Sequence, residues 1–250
     1  MAGQSWLSRD GETTSAGRSL HWTWLGRRGY GPTFQLQEET RSLLQRGEGP
    51  ERLFLLEHDP VFTIGRNASA ADVVADRTWL EENGVEVFET NRGGQVTYHG
   101  PGQLVGYPIV DLRPDRRDVG RYVRDLQEVL IRSLADLGVE AWRRPGKDYI
   151  GVWVGDPETG GAKIASLGVH LARWVTIHGF ALNVRTELSH FGGIVPCGLR
   201  DVSMTSIEAV AGRQATPSLE SLAGTVADHF ADVFERRLEA GAIFDGEADG

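Results

Sequence analysis

Residues 163–184 read KIASLGVHLARWVTIHGFALNV. Two runs rich in apolar and β-branched residues, Lys163–Leu171 and Val175–Val184, flank Ala172-Arg-Trp. The runs predict strands and the short interruption predicts a hairpin turn. A tight hairpin joins antiparallel neighbours, whereas a parallel pair needs a long crossover. The same signals recur along the chain. Strands are expected at 20–25, Arg52–Glu57, Val61–Ile64, Val85–Thr90, Gln95–Tyr98, Leu104–Leu112, Val139–Trp142 and Tyr149–Val154. Asn-Arg-Gly-Gly at 91–94 is expected to turn a hairpin between Val85–Thr90 and Gln95–Tyr98.

Helical spacing is clearest after Asp118, a capping residue. Tyr122, Leu126, Val129, Leu130, Leu134 and Leu137 recur at threes and fours before Gly138. Further helices are expected at Thr33–Gln45, Asp76–Asn83 and Val202–Val210, and from Thr216-Pro217 onward as cap and first-turn proline. Strands outnumber helices and come in runs, so regular βαβ alternation does not fit. The fold class is α+β, a mixed, largely antiparallel sheet flanked by helices. One domain is expected over 20–240, after a flexible leader at 1–19 and before a frayed tail at 241–250.

The chain has 250 residues and a net charge of −9. That sign disfavours nucleic acid as the main ligand, because duplex binding needs a basic surface. No run of apolar residues reaches membrane-spanning length, and the first residues lack the apolar segment of a signal peptide. The single cysteine, Cys197, cannot form an internal disulfide, which fits a cytoplasmic setting. Of 26 basic residues only Lys147 and Lys163 are lysines. Lysine shifts its pKa and exchanges a proton where arginine does not.

The glycines of 100–106 do not form a dinucleotide fingerprint, no P-loop or nucleophile elbow is present, and the seven histidines show no metal-ligand spacing. Four stretches remain. RGGQVTYHGPGQL (92–104) is dense in glycine around His99, and GAKIASLG (161–168) sets Lys163 among small residues. TIHGFALNV (176–184) interrupts an apolar strand with His178 and Gly179; His178 is read as a hydrogen-bonded core residue. GGIVPCGLRD (192–201) places Cys197 on a turn, where a thiol paired with Lys163 suits acyl transfer.

With EHDPVFTIGR (57–66), KIASLGV (163–169) and PCG (196–198), these stretches resemble the lipoyl(octanoyl) transferase family, in order and at fitting spacing. The resemblance covers roughly residues 20–240. It implies a fold shared with biotin and lipoate ligase catalytic domains. It implies octanoyl-acyl carrier protein as donor. As acceptor it implies a specific lysine on lipoyl domains of 2-oxoacid dehydrogenase E2 subunits or on glycine-cleavage H protein. Cys197 matches the nucleophile that carries the acyl thioester, and Lys163 the residue that lowers its pKa. Arg92, Gly93, Gly94, Gln95, Val96, Thr97, Tyr98 and His99, then Ser166, Leu167 and Gly168, then Gly179, Phe180 and Ala181, match the acyl-site segments. No metal, ATP or organic cofactor is implied. The small residues are expected to leave room for an acyl tunnel. Acidic partners would need a local basic face, for which Arg113, Arg116, Arg117, Arg121, Arg124, Arg143, Arg144 and Lys147 are candidates. The competing readings are an ATP-dependent lipoate or biotin-type ligase and a non-catalytic fatty-acyl binding module.

Overall fold

The computed structural model describes residues 17–195 and 202–240. Cys197, most of the expected leader and the expected tail lie outside the described residues. The strands are β1 (Arg18–Arg28), β2 (Glu51–His58), β3 (Val61–Ile64), β4 (Glu86–Glu89), β5 (Thr97–His99), β6 (Gln103–Ile109), β7 (Ala141–Trp142), β8 (Gly151–Val154), β9 (Ala162–Ala172), β10 (Val175–Asn183) and β11 (Arg236–Ala240). The helices are α1 (Tyr30–Arg46), α2 (Arg77–Glu82), α3 (Val119–Ala135), α4 (Ile207–Ala211) and α5 (Leu219–Phe234).

The main sheet runs β11-β1-β2-β6-β10-β9-β8-β7, and a second sheet runs β4-β3-β5. From β2 to β7 every neighbouring pair is antiparallel, while β1 is parallel to both β2 and β11. The expected mixed, largely antiparallel sheet is therefore present. The β9–β10 hairpin closes through Arg173 and Trp174, with φ of 50° and 66°. Positive φ at both turn residues matches the twist of the strands they join.

Both faces of the sheet are covered. Leu53 and Leu55 of β2 face α3 and α5, packing with Leu126, Leu130, Val226 and Phe230. Phe54 and Leu56 alternate to the other face, against the α1 side. This double burial explains the unbroken apolar run in β2, since a strand with one wet face would alternate with polar residues. Asp118 caps α3 by accepting from the Arg121 N–H.

Two expectations are corrected, and one strand lies where none was expected. β4 and β5 do not form a hairpin around residues 91–94; both pair with β3, β4 in parallel and β5 antiparallel. Helix α5 is capped by Ser218, whose side chain accepts from the Ser221 N–H, while the Thr216 hydroxyl turns back to the Gly212 carbonyl. Finally, 236–240 form a strand that pairs with 18–22. Its charged sequence carries no strong apolar alternation, so that partnership is visible only in three dimensions.

Candidate active site

A cavity of about 330 Å³ lies against β9 and β10. Arg92, Gly93, Gly94, Gln95, Val96, Thr97 and His99 line one side of it. Lys163, Ser166, Leu167 and Gly168 line it from β9, and Gly179, Phe180 and Ala181 from β10. Tyr98 does not line it. Side chains alternate across β5, so Tyr98 faces Phe62 and Phe191, and its hydroxyl bonds His190 Nδ1 at 2.8 Å. Burial raises the Tyr98 phenol to about 12.

Lys163 is buried, with 3% exposure. Its Nζ lies 5.8 Å from the Trp153 ring centre. A Cβ at Gly151 would come within 2.3 Å of Lys163 Cε, so the glycine makes room for the lysine. Two backbone bonds stitch Lys163 to the chain after residue 201. Its N–H donates to the Ser203 carbonyl at 2.8 Å, and its carbonyl accepts from Thr205 at 3.0 Å. On the other flank the Val195 N–H donates to the Asp72 carbonyl at 2.8 Å. The expected proximity of Cys197 to Lys163 lies outside the described residues.

At two of the glycines the space goes to neighbouring backbone. At Gly168 a Cβ would sit 2.9 Å from the Gly93 carbonyl oxygen. At Gly179 it would sit 2.2 Å from the Gly106 carbonyl oxygen and 2.7 Å from Pro108 Cδ. What these positions admit is neighbouring backbone. The 92–94 loop can thus lie against β9, where the Gly93 N–H donates to the Val169 carbonyl at 2.9 Å.

The polar wall is held as firmly. Arg92 is buried and donates to the Thr63 carbonyl and hydroxyl at 2.5 and 2.9 Å. His99 Nδ1 bonds Gln103 Oε1 at 2.8 Å, and Gln103 Nε2 donates to Asn183 Oδ1 at 2.9 Å. Asn183 Nδ2 in turn donates to the Thr205 carbonyl at 2.9 Å. One chain of bonds thus joins the His99 ring to the segment paired with Lys163. Burial, reinforced by His58 and Arg92, holds His99 well below the usual imidazole range. His58 is pushed down to about 4 by burial; its Nδ1 bonds the Arg28 carbonyl and its Nε2 accepts from the Tyr107 hydroxyl at 2.7 Å.

His178 is both a hydrogen-bonded core residue and part of the cavity wall. Its Nε2 meets Asn91 Oδ1 at 2.7 Å, and burial followed by the Arg92 charge lowers its pKa to about 3. Its φ of 57° is left-handed, a conformation costing a non-glycine residue about 1–3 kcal/mol.

Sequence reasoning missed Tyr30, Tyr107, Val119, Val123, Ile150 and Met204, which also line the cavity. They come from α1, β6, α3, the residue before β8 and the chain after residue 201, segments far apart in sequence. The expected basic face also changes. Arg116 is interior: it bonds Asp125 at 2.9 Å and stacks 4.7 Å from the Phe234 ring centre. Arg113 and Arg143 are committed to Asp111 and Glu128, whereas Lys147 lines the cavity. Among the described residues no group of three or more His, Cys, Asp or Glu is placed to hold a metal, and no helix is long and apolar enough to cross a membrane.

This layered sheet is the fold of solved lipoate-protein ligases. The bipartite lipoate protein ligase of an archaeal lipoylation system from Thermoplasma acidophilum superposes with a TM-score of 0.68. The two share 19% identity over 92% of this chain and 88% of that one. Residues 30–231 match the lipoyl protein ligase A/B catalytic domain, and the chain belongs to this family. Closer in sequence is the octanoyltransferase of Solibacter usitatus (strain Ellin6076), 48% identical over 218 residues, 87% of this chain and 94% of that protein. The octanoyltransferase of Koribacter versatilis (strain Ellin345) is 46% identical over 217 residues, covering 86% and 84%.

Proposed function

We propose that this protein is an octanoyltransferase of protein lipoylation, with Cys197 as nucleophile and Lys163 as its proton partner. The observation that carries the reading is the buried Lys163 on the cavity wall, paired through its backbone with the chain that follows the only cysteine. The likeness to proteins named octanoyltransferase over most of their length supports it.

In this reading the Cys197 thiolate attacks the thioester carbonyl of octanoyl-acyl carrier protein. The bond from acyl carbon to carrier sulfur breaks, and Lys163 supplies the proton to the departing thiol. Neutral Lys163 then takes a proton from the acceptor lysine as that amine attacks the Cys197 thioester. The acyl–cysteine bond breaks, and the thiolate is restored beside an ammonium. An ammonium favours thiolate and a neutral amine serves as base, so one side chain performs both tasks in turn. The acyl chain lies along the cavity, past Leu167 and Phe180. Acceptors are lipoyl domains of E2 subunits and glycine-cleavage H protein, and the setting is cytoplasmic.

Intact mass after incubation with octanoyl-carrier protein tests this. A gain of one octanoyl group, absent in Cys197→Ser, is expected. No adduct, or turnover that depends on ATP and free octanoate, would move the reading to a binding module or a ligase.

A further inference from the structure

Three buried polar atoms without a hydrogen-bond partner among the described residues lie on α1 and β10, which pack against each other and are tied by Gln37. They are Gln37 Nε2, Arg41 Nη1 and His178 Nδ1. Gln37 and Arg41 stand one turn apart on α1, and helix positions four apart share a face. Gln37 Oε1 accepts from the His178 backbone N–H at 2.8 Å. That bond orients the amide, because reversing it would set a donor against a donor. Arg41 holds Glu38 with Nη2, which leaves Nη1 as the second donor. Arg41 is near enough for its charge to depress the titration of His178.

The tautomer of His178 follows from its neighbours. Asn91 Nδ2 donates to Glu38 Oε1 at 3.4 Å, so Asn91 Oδ1 faces the imidazole and accepts from Nε2–H. In a neutral ring the other nitrogen then carries a lone pair. The three orphaned atoms are therefore two donors and one acceptor. A water molecule that accepts twice and donates once satisfies all three, and about three bonds is typical of buried water.

We propose that an ordered water occupies this position, and that through it His178 acts as a positioning residue for the cavity. The imidazole reaches Asn91, which adjoins the Arg92–Gly94 wall, while its left-handed backbone leads directly into Gly179, Phe180 and Ala181 of the opposite wall. Completing the hydrogen bonds of His178 fixes the separation of the two walls. The water site stands independently of the proposed octanoyl transfer; its effect on transfer rests on that reading.

A crystal structure of the full chain, at a resolution that shows solvent, tests the site. A peak within hydrogen-bond distance of Gln37 Nε2, Arg41 Nη1 and His178 Nδ1 is expected. An empty position with these side chains placed as described overturns it. In Gln37→Met, which removes one donor and the acceptor for the His178 N–H, the peak is expected to vanish and the 178–181 backbone to shift. An unmoved backbone after loss of the peak overturns the positioning role. For activity, Gln37→Met is expected to raise KM for octanoyl-carrier protein about tenfold with kcat less affected. His178→Asn, which tolerates left-handed backbone, is expected to retain more of the wild-type KM than His178→Ala. Equal KM values for the two variants count against positioning. A wild-type protein that shows the peak but never forms an octanoyl adduct refutes the transfer reading alone.

Discussion

Lowering the pH from 7.5 to 5.0 should destabilise this protein through its buried histidines. His58 and His178 are held down to about 4 and about 3, and His99 well below the usual range, each chiefly by burial. In the unfolded chain all three titrate near 6.5. Between the two values the unfolded state binds protons that the folded state refuses, so stability rises with pH there and is lost as pH falls from about 6.5 toward about 4. At pH 5.0 each unfolded imidazole gains about 2 kcal/mol from protonation, since one pKa unit is worth about 1.4 kcal/mol. Three give about 6 kcal/mol, comparable to the whole stability of many domains. Ordinary carboxylates titrate lower, near 4, so the window above pH 5 isolates the imidazoles. Urea denaturation at half-unit pH steps reads the effect directly. Replacing one of them, His58→Gln, should remove about a third of the slope, or about 2 kcal/mol over this interval. A stability that is flat from pH 7.5 to 5.0, or a His58→Gln slope equal to wild type, would refute the reasoning.

Lys163→Ala should slow octanoyl transfer by about 10²–10⁴-fold in a discontinuous acyl-transfer assay; Lys163→Arg, which keeps charge without serving as base, should do nearly the same. Arg116→Glu should cost about 3–5 kcal/mol in urea melts, because it sets a carboxylate against Asp115 and Asp125 in the interior. Arg117, exposed above the Trp174 ring, is the residue whose reversal should instead raise KM for an acidic carrier in a salt-sensitive way. Gly179→Ala should destabilise by about 1–3 kcal/mol, because the new Cβ meets the Gly106 carbonyl and neither strand can yield without disturbing the β6–β10 ladder. A wild-type melting curve for Gly179→Ala would show that the strands do give way.

Local chemistry made much of this molecule legible. The β9–β10 hairpin, the Asp118 cap and the helix stripe from Tyr122 to Leu134 depend on neighbours a few residues apart, and a linear pattern records them. Pairings between distant segments left little trace. Nothing near 97–99 announces β3 as its partner, and nothing in 236–240 announces β1. The same limit applied to the cavity. Its glycine-marked segments stood out, but Tyr30, Tyr107 and the α3 valines became wall residues only when the sheet brought them together. Tyr98 was grouped with its motif although strand alternation turns it away. Arg116 looked like surface charge because Asp125 and Phe234, which help bury it, come from α3 and α5.

The pairing of β1 with β11 sets an order of events in synthesis. The Ser19 hydroxyl bonds Glu239 across 220 positions of sequence, so one flank of β1 stays unpaired until residues 236–240 have been made. Contacts of such separation form late and slow folding. Meanwhile β1, which carries Leu20, Trp22, Trp24 and Leu25, presents an open hydrogen-bonding edge to any passing strand. A nascent or truncated chain ending before residue 236 is thus a template for aggregation, and it is β11 that makes β1 safe.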